Sequence, residues 1–181
     1  SLPGSERSER WRPRRSPRLP RERRTTIPPG ESPRRRQRPI VLLCDVSGSM
    51  DRYSRLLLHF AHSLRTRHRR VEAFVFSTRL TRVTRDLRHR RLDAAVAAVA
   101  QSVPDWSGGT RIGGAIAEFR RHWARRVLRG GPVVLLISDG WDRGDPIELR
   151  DQVAWLQRSS HRLIWLNPLI GTVGYAPLTR G

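Results

Sequence analysis

Lysine is absent from this 181-residue sequence, so all 36 basic residues are arginine, set against 16 acidic ones for a formal net charge of +20. Guanidinium at every basic position, solvated ones included, is what a coding bias toward arginine produces, as in a GC-rich genome. The charge alone is therefore weak grounds for an anion-binding surface. Without lysine there is no ammonium to neutralise a transferring phosphoryl group, and neither a P-loop, a G-x-G-x-x-G turn nor a G-x-S-x-G elbow is present. Nucleotide and serine-hydrolase chemistry thus lack their motifs. The single cysteine, Cys44, excludes an internal disulfide, and its place in an apolar run makes it a buried, inert thiol. No apolar stretch reaches the roughly 18 residues of a membrane helix, and no signal peptide is visible. A cytoplasmic location is the expectation, although a chain that starts at Ser1 is compatible with a lost targeting segment.

What the sequence does have is a strand that ends in oxygen ligands. Ile40-Val41-Leu42-Leu43-Cys44 is an apolar run of strand length, followed by Asp45-Val46-Ser47-Gly48-Ser49. Continuous hydrophobic runs mark strands buried on both faces, and open α/β sheets place their ligands beyond the carboxyl ends of such strands. One carboxylate and two hydroxyls on a glycine-broken turn suit a hard cation such as magnesium or manganese. A bare D-x-S would be read as a strand and a polar turn; here two later segments complete the set.

From 1 to 39 the chain holds 13 Arg, 4 Glu and eight prolines with almost no aliphatic side chains, which predicts an unstructured Arg/Pro-rich tail or linker over 1–38. Its alternative is an arm for nucleic acid or an acidic partner. A helix is expected from Asp51 to about Arg69, with Tyr53, Leu57, Phe60, Ala61 and Leu64 as its apolar stripe. His59 and His62 on it are three apart, but no third ligand of zinc-type spacing accompanies them, so a packing or solvated role is favoured. Val71 to Phe76 reads as a strand, Thr78 to Thr84 as an edge strand, and Arg91 to Val103 as a helix packed through Leu92, Val96, Val99 and Val103.

Gly108-Gly109-Thr110 then ends a loop at the start of a helix whose apolar face is Ile112, Ile116, Phe119, Trp123 and Val127. Thr110 in isolation would be an N-cap; beside D-x-S-G-S it becomes a candidate third hydroxyl. Pro132 to Ser138 is a second buried strand through Val133-Val134-Leu135-Leu136-Ile137, ending in Ser138-Asp139-Gly140, where Asp139 would face Asp45. Asp142 and Asp145 read as turn and helix-capping residues, the latter before Pro146. A helix over Ile147 to Ser159 and a strand over His161 to Leu166 follow, stopped by Asn167-Pro168. Strands alternating with helices predict an α/β, Rossmann-like doubly wound, mostly parallel sheet with helices on both faces.

D-V-S-G-S at 45–49, G-G-T at 108–110 and S-D-G at 138–140, in that order and each followed by a helix, resemble the metal-ion-dependent adhesion site (MIDAS) of a von Willebrand factor A (VWA) domain. The string Ser138 to Pro146, the Gly-Gly-Thr-Arg-Ile-Gly segment and Asn167-Pro168 resemble its CoxE-like branch, bacterial and archaeal proteins that act with MoxR-type AAA+ ATPases. In the name-giving system they mature the metal centre of carbon monoxide dehydrogenase. The resemblance spans 39–181 as a VWA domain and implies that its last strand and helix lie beyond this chain. It implies that Ser47, Ser49 and Thr110 supply hydroxyls to Mg2+ or Mn2+, with Asp45 and Asp139 at the site directly or through water. Neutral hydroxyls leave the ion short of negative charge, so it favours a carboxylate from a partner protein. The implied function is metal-dependent protein binding, not catalysis. Two alternatives stand beside it: nucleic-acid or anion binding through the arginine surface and tail, and an Mg-dependent hydrolase using Asp45. Against the latter, the D-x-D of aspartyl-phosphate enzymes is D-x-S here. Trp106 and Trp141 flank the ligand loops, either as a rim for a partner or as packing over the sheet ends.

Overall fold

The computed structural model describes residues 37–106 and 108–170. The expected tail, apart from residues 37 and 38, and everything after 170 lie outside the described residues. Five strands form one sheet in the order β3-β2-β1-β4-β5. They are β1 (Ile40–Asp45), β2 (Val71–Phe76), β3 (Leu80–Arg82), β4 (Val133–Ile137) and β5 (Arg162–Leu166). β1 is central and pairs in parallel with both β2 and β4, β5 continues in parallel beyond β4, and only β3 runs antiparallel, at the β2 edge. The helices are α1 (Asp51–Arg67), α2 (Leu92–Ser102), α3 (Ile112–His122), α4 (Ala124–Val127) and α5 (Pro146–Ser159).

The two-residue period of a strand splits the core into two halves. Val41, Leu43, Phe74, Phe76, Val134 and Leu136 pack with α3 and α5 on one face, and Leu42, Cys44, Ala73 and Val75 pack with α1 and α2 on the other. Because both sides of β1 are covered, its residues need no polar alternation, and this is why the strand reads as an unbroken apolar run. The strand order reverses between β2 and β4, which flank β1, and in open α/β sheets ligands bind beyond the carboxyl ends of the strands at such a switch point.

Three local expectations change. The face of α1 turned to the core consists of Ser54, Leu57, Leu58, Ala61 and His62, while Phe60 is 42% exposed. Leu58 shares a face with Ser54 and His62, so the burial maximum sits about one residue further along the helix than the stripe expected through Phe60. The edge strand shrinks from 78–84 to Leu80–Arg82 because its threonines bond elsewhere. Thr84 Oγ1 donates to Glu72 Oε2 and accepts from Ala73 N, and Thr78 N donates to Asp105 Oδ2. The helix expected to run through Val127 is interrupted at Trp123, whose ring lies edge-on to Phe74 with Arg82 and Arg126 over it.

Candidate metal centre

The carboxyl ends of β1 and β4 bring Asp45 and Asp139 together with Ser47, Thr110 and Ser138, all five buried; Ser49 is partly exposed. Asp45 is the fixed point. Its Oδ1 accepts from Ser47 N at 2.9 Å and its Oδ2 from Ser138 Oγ at 2.6 Å. Ser47 Oγ and Ser49 Oγ are hydrogen-bonded at 3.3 Å, so the alternate-position spacing puts both hydroxyls on one side of the turn. Burial pushes the Asp45 carboxyl up to about 6; hydrogen bonds from Ser138 and Ser47 hold it down, and the charge of Asp139 raises it again. Two buried carboxylates whose fields add are unfavourable side by side, and a cation between them removes the conflict.

Three loops carry these groups and are tied by their backbones. Gly48 N donates to Gly108 O at 3.3 Å, and Arg143 N donates to Thr110 O at 3.0 Å. Gly108 is required by close approach: a Cβ there would lie 2.9 Å from Asp105 O and 3.0 Å from Ser77 Oγ. Gly140 has φ +83°, which L side chains avoid, and the turn it makes lets Asp139 Oδ1 accept from Trp141 N at 2.9 Å.

Thr110 is not the cap of α3. No side chain at the N-cap position, Arg111, bonds the first turn; instead Asp142 Oδ1, from the third loop, accepts from Ile112 N at 2.9 Å and from Gly144 N at 3.2 Å. The capping role that competed for Thr110 is filled from elsewhere. Asp145 caps α5 as expected, accepting from Ile147 N ahead of Pro146.

Four supporting residues were not singled out from the sequence. Ser138 joins Asp45 to the third loop and accepts from Gly140 N at 3.1 Å; its position inside the S-D-G string was the available signal. Asn167 Nδ2 donates to Asp139 O at 2.9 Å, so the residue read as a strand stop also braces the second carboxylate. Ser77 Oγ donates to Asp105, whose Oδ2 also accepts from Thr78 Oγ1, Thr78 N and Arg79 N. Burial pushes the Asp105 carboxyl up, but these hydrogen bonds outweigh it and hold it below its ordinary value. No sequence pattern links Ser77 to Asp105; only the fold pairs them. Trp106 Nε1 donates to Asp51 Oδ1 at 3.2 Å and its ring packs against the α1 and α2 side of the core, which favours the packing role. His62 Nε2 lies 2.9 Å from His89 O, and no cluster of three or more His, Cys, Asp or Glu with metal-holding geometry exists among the described residues. The donors at this site among the described residues are hydroxyl and carboxylate oxygens, which suit a hard divalent cation.

With this geometry in hand, a family model described as "VWA domain containing CoxE-like protein" matches residues 10–181. The chain belongs to that family. A comparison with curated proteins returned no match. Among solved structures, proximal thread matrix protein 1 from the mussel byssus is 19% identical with a TM-score of 0.53, over 72% of this chain and 38% of that one. The same mussel protein with a zinc-occupied MIDAS motif gives 18% and 0.52 over 72% and 38%. Manganese-loaded TRAP protein of Plasmodium vivax gives 20% and 0.51 over 72% and 57%. At this identity the likeness shows the fold, and the chain spans about two fifths of the mussel protein's length. The mostly parallel, doubly wound sheet is that of a VWA domain.

Proposed function

We propose that this CoxE-like VWA domain is a metal-dependent protein-interaction module. Ser47, Ser49 and Thr110 hold Mg2+ or Mn2+ through hydroxyl oxygens, and Asp45 and Asp139 hold it directly or through water. The observation that carries the reading is the Asp45–Ser138 hydrogen bond, which joins the two strand ends and fixes one carboxylate beside the hydroxyl pair of Ser47 and Ser49. A small dication takes about six oxygens at roughly 2.0–2.1 Å and readily keeps waters. Neutral hydroxyls leave it under-neutralised, so an Asp or Glu of a partner completes its shell. The metal supplies attraction for that carboxylate; the protein supplies the fixed oxygens and, through Asp139, a means of changing how strongly the ion is neutralised.

The partner in this reading is a MoxR-type AAA+ ATPase or a metalloenzyme client, in a bacterial, cytoplasmic maturation or remodelling assembly. The domain is a binding device, not an enzyme, and follows an Arg/Pro-rich linker over 1–38. Support for a non-catalytic role is the D-x-S at 45–47 and the absence of lysine. Isothermal titration of Mg2+ and Mn2+ into the full chain, alone and with a candidate ATPase, tests it. Binding that tightens with the partner and disappears in Ser47→Ala and Asp139→Ala is the expected result. Metal binding unchanged by both substitutions, or partner binding indifferent to chelator, refutes the reading.

A further inference from the structure

At the other end of the sheet the amino ends of β1 and β2 border a cavity of about 350 Å3 that the metal site does not use. Six of its eleven lining residues are arginines: Arg65, Arg69, Arg70, Arg88, Arg126 and Arg129. Arginine makes up 36 of 181 residues in the chain, about one in five, so compositional bias does not account for more than half at one concave spot. They arrive from separate elements: the end of α1 and the loop after it, the short 3-10 turn Asp86–Arg88, and α4 with the residue pair that follows it.

No carboxylate compensates the charge there, although Arg126 lies over the Trp123 ring and Arg129 Nε donates to Arg125 O. Glu72 is the one acid lining the cavity, and its Oε2 already accepts from Arg82 Nη2 at 2.7 Å, Arg82 Nε at 2.8 Å and Thr84 Oγ1 at 2.9 Å. Among the described residues the ion pairs are Arg55 with Asp93, Arg82 with Glu72 and Arg150 with Asp151, so none of the six arginines is ion-paired. Arg65 Nε is buried with no hydrogen-bond partner. A guanidinium does not shed its proton to escape repulsion, and a buried N–H donor without an acceptor is unfavourable. Both conflicts are removed together by an anion with several oxygens.

We propose that this cavity binds a compact polyphosphate chain, inorganic or at the end of a nucleotide. Guanidinium forks match phosphate oxygens in pairs, and a volume near the lower end of small-ligand sites suits a few linked phosphates. The six arginines converge on one concavity instead of forming the extended basic stripe that tracks a nucleic-acid strand. The site is at the opposite end of the strands from Asp45, so it stands or falls independently of the metal reading.

Calorimetric titration of the full chain with sodium tripolyphosphate, at physiological salt and without added divalent metal, tests this. Saturable one-to-one binding is expected, at least tenfold weaker in Arg65→Gln and in the surface double variant Arg69→Gln/Arg88→Gln. Arg158→Gln, at an exposed position of α5, stays within twofold of the parent. ATP in place of tripolyphosphate tells the sources apart: tighter binding assigns the nucleotide, equal or weaker binding the inorganic chain. No saturable binding overturns the proposal, as does equal weakening by Arg158→Gln. So does tighter binding of a poly-glutamate peptide or a single-stranded oligonucleotide at matched charge.

Discussion

Replacing Asp45 by asparagine should make the metal-free protein more stable at neutral pH and change little in acid. Asp45 is fully buried, and its carboxyl is raised from an ordinary 3.8 to about 6, with burial as the main cause. A folded-state value above the unfolded one means that the folded protein keeps a proton the unfolded chain has released. Stability therefore falls as pH rises from about 4 to about 6, and the full penalty is present above 6. The shift of about two units corresponds to about 3 kcal/mol at pH 7.5, reduced to roughly 1 kcal/mol at pH 4.5. Asparagine keeps the acceptor for Ser47 N, and its amide is able to donate to Ser138 Oγ, so the local network survives while the charge is gone. Urea unfolding of both proteins in a chelating buffer at pH 4.5 and 7.5 measures the difference, and subtracting variant from parent cancels the titrating groups that do not interact with Asp45. The variant should gain about 2 kcal/mol relative to the parent between the two pH values. A pH-independent difference, or a variant less stable at pH 7.5, would refute the electrostatic account of this site. Added Mg2+ should raise the stability of the parent and leave Asp45→Asn nearly unmoved.

Four further outcomes follow from the packing. Cys44 is buried, and burial first, then the charge of Asp45, pushes its thiol up to about 12, so iodoacetamide at pH 8 should label it only after denaturation. Adjacent glycines of α3 should respond with opposite signs. A Cβ on Gly113 would sit 3.0 Å from Leu149 N, so Gly113→Ala should lower stability by about 1–2 kcal/mol in thermal melts. On Gly114 the nearest atom is 3.7 Å away, and Gly114→Ala should raise stability by about 0.5–1 kcal/mol. Asp142→Ala should cost about 1–2 kcal/mol through loss of the Ile112 and Gly144 acceptor, and weaken Mg2+ binding as the Thr110 loop loosens, both readable by calorimetry. On α1, Leu58→Ala should destabilise by about 2–5 kcal/mol in urea, whereas Phe60→Ser should stay within about 0.5 kcal/mol.

The strands and the placing of Asp45 and Asp139 at strand ends were legible because each rests on short-range pattern. An apolar run of strand length identifies a buried strand, and a ligand at its carboxyl end follows from the architecture. What sequence pattern missed is long-range pairing. Asp142 caps a helix 30 residues earlier, Ser138 bonds a carboxylate 93 residues away, and Ser77 reaches Asp105 across 28. Each is an ordinary polar residue in a turn until the fold says which loop lies opposite. Phe60 was misplaced for a related reason. An apolar side chain at helical spacing is compatible with two neighbouring faces, and His62 and Ser54, polar residues that find partners at His89 O and Met50 O, decide between them.

The bond from Ser138 to Asp45 also has a consequence in time. During synthesis the carboxylate is made first, and 93 further residues must be added before the hydroxyl that braces it exists. At about 5–20 residues per second, that is roughly 5–20 s in which the Asp45 carboxylate has the nearby Ser47 N–H but lacks its Ser138 partner. Of the paired strands, β1 and β4 lie farthest apart along the chain, so β1 waits longest for that neighbour. A pause or a chaperone that protects Ile40–Asp45 would act in that window, before Ser138 is available to Asp45.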